Sequence, residues 1–328
     1  MAILPLLAGC AGDAAQPADG GADGDGDTDT GDPDPGAPLF DDHGVYATVI
    51  AESGDQADVY YPNPPGLADG GYSFPLAILF QGANVDKQYY SGFASLVARH
   101  GFVVVVPNHH NTGIGTNGLY AEQSQAREVI DHMSGENLRP SSPVAGAVDT
   151  SVAVLLGHSY GGVAALNIVR EVCEPPTCFG SFERPPEIAG AALWGTNLAL
   201  PLVGTMVPSI ANHGLPVALV QGTLDSKAKP ADTQEAYAKL EDPPKAYVAV
   251  IGANHYGQCD VDNPPGAAPD GSTPALAQDV SVETVARWSA MFLRAHVLGD
   301  QDAREYVQVT GGPADPNANV VAEDDPGS

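Results

Sequence analysis

From residue 45 to residue 296, short wholly apolar runs alternate with longer stretches in which apolar residues recur every three or four positions. Runs of four to eight apolar residues bounded by turn residues read as strands, and the longer 3.6-residue periodicity reads as helix. Residues 45–50 and 57–61 flank a Gly-Asp turn and predict an opening hairpin. Residues 75–81 and 102–107, the latter with four consecutive valines, lack a polar alternate, which predicts strands covered on both faces. Further strands are predicted at 151–156, 188–194, 216–221 and 246–251, and helices at 89–100, 119–132, 163–172, 231–240 and 281–296. Strands and helices in this alternation predict an α/β fold with a mostly parallel central sheet flanked by helices. One domain over 39–310 accounts for the whole pattern.

The flanks read differently. Residues 3–8 are apolar and run into Leu7-Ala8-Gly9-Cys10, which resembles the lipobox of bacterial lipoproteins. That segment, 1–10, is read as a signal remnant that leaves a lipid anchor at Cys10, so a secreted or cell-envelope location is expected. Residues 11–38 are almost wholly Asp, Gly, Ala, Pro and Thr, with no large apolar side chain, which predicts a disordered tether. Asp23 to Asp29 alternates acids with small residues like part of a calcium loop, but the closing Glu is missing and the spacer reading is preferred. Residues 311–328 are read as a disordered acidic tail.

Charge narrows the partners. The chain has 41 acidic and 13 basic residues, a formal charge of -28, of which eight acids lie in the tether and four in the tail. Such a surface repels phosphate backbones and anionic headgroups, so no nucleic-acid partner is expected, and a membrane is expected only through Cys10. A neutral or cationic small-molecule or polymeric substrate fits better.

Candidate chemistry centres on Gly157-His-Ser-Tyr-Gly161, a G-x-S-x-G pattern between a predicted strand and a predicted helix. A serine there sits on a sharp turn with its hydroxyl exposed, and the glycines let strand and helix pass closely. Two later strands end in Gly222-Thr-Leu-Asp225 and Gly252-Ala-Asn-His255. In an open α/β sheet the ligand lies at the carboxyl ends of the strands, so Ser159, Asp225 and His255 are expected to converge as nucleophile, orienting acid and general base. The oxyanion donors are assigned to the backbone N–H of Tyr160, next to the nucleophile, and of Ala83, in the Gln-Gly-Ala turn after strand 75–81. No cofactor and no metal are required by this chemistry.

The run from Leu79 to Asn84, the stretch from Tyr89 to Pro107, the Gly157–Gly162 elbow, Ala191-Ala-Leu-Trp194, Gln221 to Ser226, Gly252 to His255 and the helix around Trp288 resemble one group of α/β-hydrolases. That group includes cutinase-like polyester hydrolases, plant chlorophyllases and platelet-activating-factor acetylhydrolases. The resemblance covers most of 40–310 and implies the α/β-hydrolase fold and a serine carboxylic ester hydrolase. Lipid-like, polyester or small esters are the substrates it implies, with an acetylhydrolase-like lipase and a catalytically silent surface binding protein as the alternatives. It also implies that Trp194 packs the substrate, with Tyr160 supplying a second aromatic face where polyester hydrolases carry methionine.

The remaining candidates carry less. His109 and His110 point in different directions and have no carboxylate near them in sequence. His158 is read as an ordinary elbow residue, His213 as a loop residue, and Asp260 and Asp262 as solvated. Cys173 and Cys178 are close enough to pair across a Pro-Pro turn, while Cys259 is either a disulfide partner or a buried thiol.

Overall fold

Strand β3, Phe74–Phe80, is buried along its whole length and shows why the chain folds in layers. Its Leu76, Ile78 and Phe80 enter one apolar core with Val129 and Ile130 of helix α2, Gln125–Leu138, and Leu166 and Ile168 of helix α3, Tyr160–Val169. Ala77 and Leu79 enter the other, with Phe93 and Val97 of α1, Ser91–Arg99, and Val285 and Phe292 of α5, Gln278–Val297. A period of two therefore feeds two cores, one on each face of the sheet. The computed structural model describes residues 35–113, 116–199 and 206–324. Cys10 and the tether as far as residue 34 lie outside the described residues.

The hairpin of β1, His43–Val49, and β2, Gln56–Pro62, starts a nine-stranded sheet. Next come β4, Val103–Asn108, then β3, then β7, Val148–His158, and β8, Ile188–Trp194. Strands β9, Val217–Gly222, β10, Lys245–Val250, and β11, Ala318–Glu323, complete it. The six strands from β4 to β10 run parallel, while β1, β2 and β11 are antiparallel additions at the edges. Helix α4, Pro230–Lys239, bridges β9 and β10. The mostly parallel sheet and its flanking helices are those expected from the sequence. Among the described residues no helix is long and apolar enough to cross a membrane.

The largest departures from the expected boundaries are three. Residues 119–124 do not begin α2: Leu119 belongs to β6, Gly118–Leu119, which pairs with β5, His110–Asn111, and the helix starts at Gln125. Packing starts at Pro35 rather than at 39, because buried Gly36 sits so close to the Tyr306 ring that a Cβ would come within 2.8 Å of it.

The expected acidic tail is ordered as far as Asp324. Asp315 is buried, accepting from Trp288 Nε1 at 2.7 Å and pairing with Arg287 at 3.1 Å. After the short helices α6, Gln301–Glu305, and α7, Gly311–Ala314, strand β11 covers the β10 edge. Tyr237 donates to Glu323 at 2.9 Å, so an acid read as repulsive charge has a buried donor. Residues 325–328 lie outside the described residues.

Candidate active site

Strand β7 stands near the middle of the sheet, between β3 and β8, so the turn at its carboxyl end faces the turns that follow β3, β9 and β10. Ser159 occupies that turn with φ 52° and ψ -119°, a positive-φ conformation that costs a non-glycine residue roughly 1–3 kcal/mol. Its N–H donates to Trp194 O at 2.9 Å. Two residues on, a Cβ at Gly161 would lie 2.1 Å from Phe80 O, so only glycine lets α3 cross the end of β3 here.

The Ser159 hydroxyl meets His255 Nε2 at 2.8 Å, and His255 Nδ1 meets Asp225 Oδ2 at 2.8 Å. His255 and Asp225 are both buried, at 2% and 4% exposure, so their interaction is shielded from water. Because Asp225 Oδ2 accepts, Nδ1 carries the proton and Nε2 is left as the base facing the hydroxyl. The carboxylate is fixed by further donors: Lys227 N and Ala228 N reach Oδ1 at 2.8 Å each, and Gln221 Nε2 reaches Oδ2 at 3.0 Å. Gln221 Oε1 in turn accepts from Thr233 at 2.7 Å, which sets the orientation of its amide.

In the turn after β3, Gly82 N–H is bound by Tyr90 Oη at 2.8 Å, Asn84 N–H by Leu119 O at 2.7 Å and Val85 N–H by Gly82 O at 3.0 Å. Among these described residues Ala83 keeps its amide free for a ligand. Tyr160 opens α3, where first-turn amides have no carbonyl one turn back. Both backbone groups assigned from sequence thus belong to turns that flank Ser159.

The two aromatic residues separate. Tyr160 lines an open cleft of about 630 Å³ together with Ser159, Thr196, Asn197, Lys227 and His255. Its ring meets Tyr120 edge to face at 5.2 Å, and burial raises its phenol pKa. Trp194 is 1% exposed, lines no part of that cleft and donates from Nε1 to His255 O at 2.8 Å. The expectation that it packs substrate is therefore corrected: Trp194 fills the α5-side core and holds the histidine backbone.

Sequence reasoning missed Asp270. It accepts from His255 N at 2.8 Å and from Ser226 Oγ, joining the acid loop to the histidine loop from a Pro-rich segment without regular structure. Nothing in its sequence neighbourhood marks it. Asp260 is corrected from solvated to structural, since it accepts from Ser91 N at 3.0 Å and Gly92 N at 2.9 Å at the start of α1. Asp262 accepts from Asn254 at 2.8 Å. His213 is an exposed loop residue.

His109 acquires carboxylates from distant segments, with Asp55 at 2.7 Å and Glu122 at 3.4 Å. Burial depresses its pKa, but the hydrogen bond and charge of Asp55, helped by Glu122, outweigh burial and leave it raised. Asp55, His109 and Glu128 present ligand-type atoms within 4.8 Å of one another. Cys173 and Cys178 form a disulfide, and Cys259 is a buried free thiol.

The sheet order, the parallel strands and the carboxyl-end placement of the three side chains define an α/β-hydrolase. A family model described as Chlorophyllase matches residues 65–265, a span that includes Ser159, Asp225 and His255, and the chain belongs to the chlorophyllase family. It is 25% identical to Chlorophyllase-1 of Arabidopsis thaliana over 206 residues, covering 58% of this chain and 61% of that protein. It is 26% identical to the chloroplastic Chlorophyllase-1 of Citrus sinensis over 132 residues, 39% of each. The chain thus spans less than two thirds of the length of these curated relatives.

Proposed function

We propose that this protein is a serine carboxylic ester hydrolase working through an acyl-enzyme. The observation that carries the reading is the unbroken run Ser159 Oγ, His255 Nε2, His255 Nδ1, Asp225 Oδ2, each link 2.8 Å. An alcohol is a weak nucleophile at neutral pH, so His255 takes the Ser159 proton as Oγ attacks the ester carbonyl. The oxyanion is held by the N–H groups of Ala83 and Tyr160, each worth about 3 kcal/mol in barrier. Collapse expels the alcohol, which receives the proton from His255, and leaves the acyl group on Oγ. Water, deprotonated by His255, then attacks the acyl carbonyl and releases the acid, and the proton returns to Oγ. Asp225 orients the ring and stabilises the imidazolium while His255 is charged.

The substrate class that fits is an ester with a neutral acyl part, lipid-like, polyester-derived or small, met by Tyr160 in the open cleft. Family membership supports ester cleavage, and the acidic surface disfavours anionic substrates. Export with a lipid anchor at Cys10 is part of the same proposal and accords with a disulfide at Cys173–Cys178, a bond favoured in oxidising compartments. Hydrolysis of p-nitrophenyl acetate and butyrate tests the chemistry. Ser159→Ala is expected to lower kcat by on the order of 10⁴-fold or more, and equal rates in variant and wild type refute it.

A further inference from the structure

We propose that Tyr90 and His158 are positioning residues that lock the oxyanion turn and the His255 loop to the nucleophile elbow through one continuous hydrogen-bonded chain. This deepens the esterase reading and rests on it. Both side chains are fully buried, at 0% exposure. Gly82 N–H donates to Tyr90 Oη at 2.8 Å, Tyr90 Oη lies 2.8 Å from His158 Nδ1, and His158 Nε2 lies 3.0 Å from His255 O.

The two ends fix the direction of every link. A backbone amide can only donate and a backbone carbonyl can only accept. Since Oη accepts from Gly82, its own proton goes to Nδ1, and since His255 O accepts, Nε2 carries the imidazole proton. One neutral tautomer of His158 satisfies all three contacts. Burial, with the nearby His255 ring second, holds the His158 pKa well below its ordinary value, and burial raises that of the Tyr90 phenol, so both stay neutral in their assigned roles. An unsatisfied partner at this depth would keep its full desolvation penalty.

The chain joins three loops that act together. Gly82 precedes the proposed donor Ala83, His158 precedes Ser159, and the terminal carbonyl belongs to the proposed base. Trp194 Nε1 reaches that same carbonyl at 2.8 Å, so the His255 backbone is held from two sides. His158 also fixes the identity of Gly82, where a Cβ would stand 2.8 Å from Nδ1. Neither His158 nor Tyr90 lines the cleft; the His158 ring packs against the His255 ring, their centroids 5.0 Å apart. Their effect on rate passes through Ala83 and His255.

The test uses the full chain as wild type, Tyr90→Phe, His158→Leu, His158→Gln and Ser159→Ala. Readouts are kcat and KM for p-nitrophenyl butyrate, the inhibition constant of an alkyl boronic acid that binds as a tetrahedral adduct, and the melting temperature. Tyr90→Phe removes a single oxygen and is expected to lower kcat on the order of 10- to 100-fold, less than loss of an oxyanion donor itself. KM should stay within about twofold, and boronate affinity should fall in step with kcat. His158→Leu should lose more, and His158→Gln, whose amide can accept from Tyr90 and donate to His255, should recover part of that loss. If Tyr90→Phe and His158→Leu keep wild-type kcat per folded molecule and lose only melting temperature, or if KM alone rises, the positioning role is overturned while the esterase reading stands. Serine-independent hydrolysis, seen as equal rates in wild type and Ser159→Ala, overturns the esterase reading and the positioning role with it.

Discussion

Trp194 and Tyr160 are both large aromatic residues at strand ends, and only their surroundings tell them apart. Trp194 continues the side of β8 that carries Ala192 into the α5-side core, whereas Tyr160 turns with the first residue of α3 into the cleft. Trp194→Ala is therefore expected to cost about 3–5 kcal/mol of stability, read as a shifted denaturant midpoint. Tyr160→Ala is expected to leave stability within about 1 kcal/mol and to raise KM for bulky esters more than for acetate. A Trp194→Ala variant of unchanged stability with a selectively raised KM would count against this division. The nucleophile elbow was legible in the sequence because the turn constrains its neighbours so tightly that glycine is required at Gly161. Asp225 and His255 were legible through their place after strands. Trp194 was misread because a strand buried on both faces has no polar phase to show which side meets the cleft, and Asp270 because its partners Ser226 and His255 lie far off in sequence.

Among elements, the parallel strands were legible since each is a self-contained apolar run. Strand β11 was not, because its apolar signal is only two adjacent valines, Val320 and Val321, beside Asp324 and Asp325, and their meaning depends on the edge of β10. A distant partner also displaced the start of α2, whose expected first residue, Leu119, pairs with β5 instead. A chain ending at Thr310 is expected to melt at least about 5 °C lower, since each kcal/mol is worth about 2–4 °C in a domain of this size. It would lose the Asp315 contacts of Trp288 and Arg287 and leave an unpaired strand edge prone to association. Equal melting temperatures, with no concentration-dependent aggregation, would show that β11 is dispensable.

For the whole molecule, pH acts through buried histidines of two kinds. His100 and His158 are held neutral by burial, with His100 pushed down to about 3. Below about pH 6.5 the unfolded chain protonates these positions and the native state does not, so each is expected to remove about 1.4 kcal/mol of stability per pH unit. His109, raised by Asp55, has the opposite sign: its contribution is complete below about pH 6.5 and fades as pH rises through its native value. With the His109 contribution already complete below about pH 6.5, and His132 and His296 also lowered by burial, a net fall in stability is predicted between about pH 6.5 and 5.5, measurable by urea denaturation; a rise over that interval would contradict it. The C-terminal strand has a directional effect as well. Because β11 runs antiparallel to β10 and Glu323 lies opposite Lys245, the backbone leaves the sheet at the rim where the parallel strands begin, away from the rim that holds Ser159. Coupling this protein to a bead or an electrode through an extension of that strand would hold the rim that carries Ser159 facing outward, open to solution.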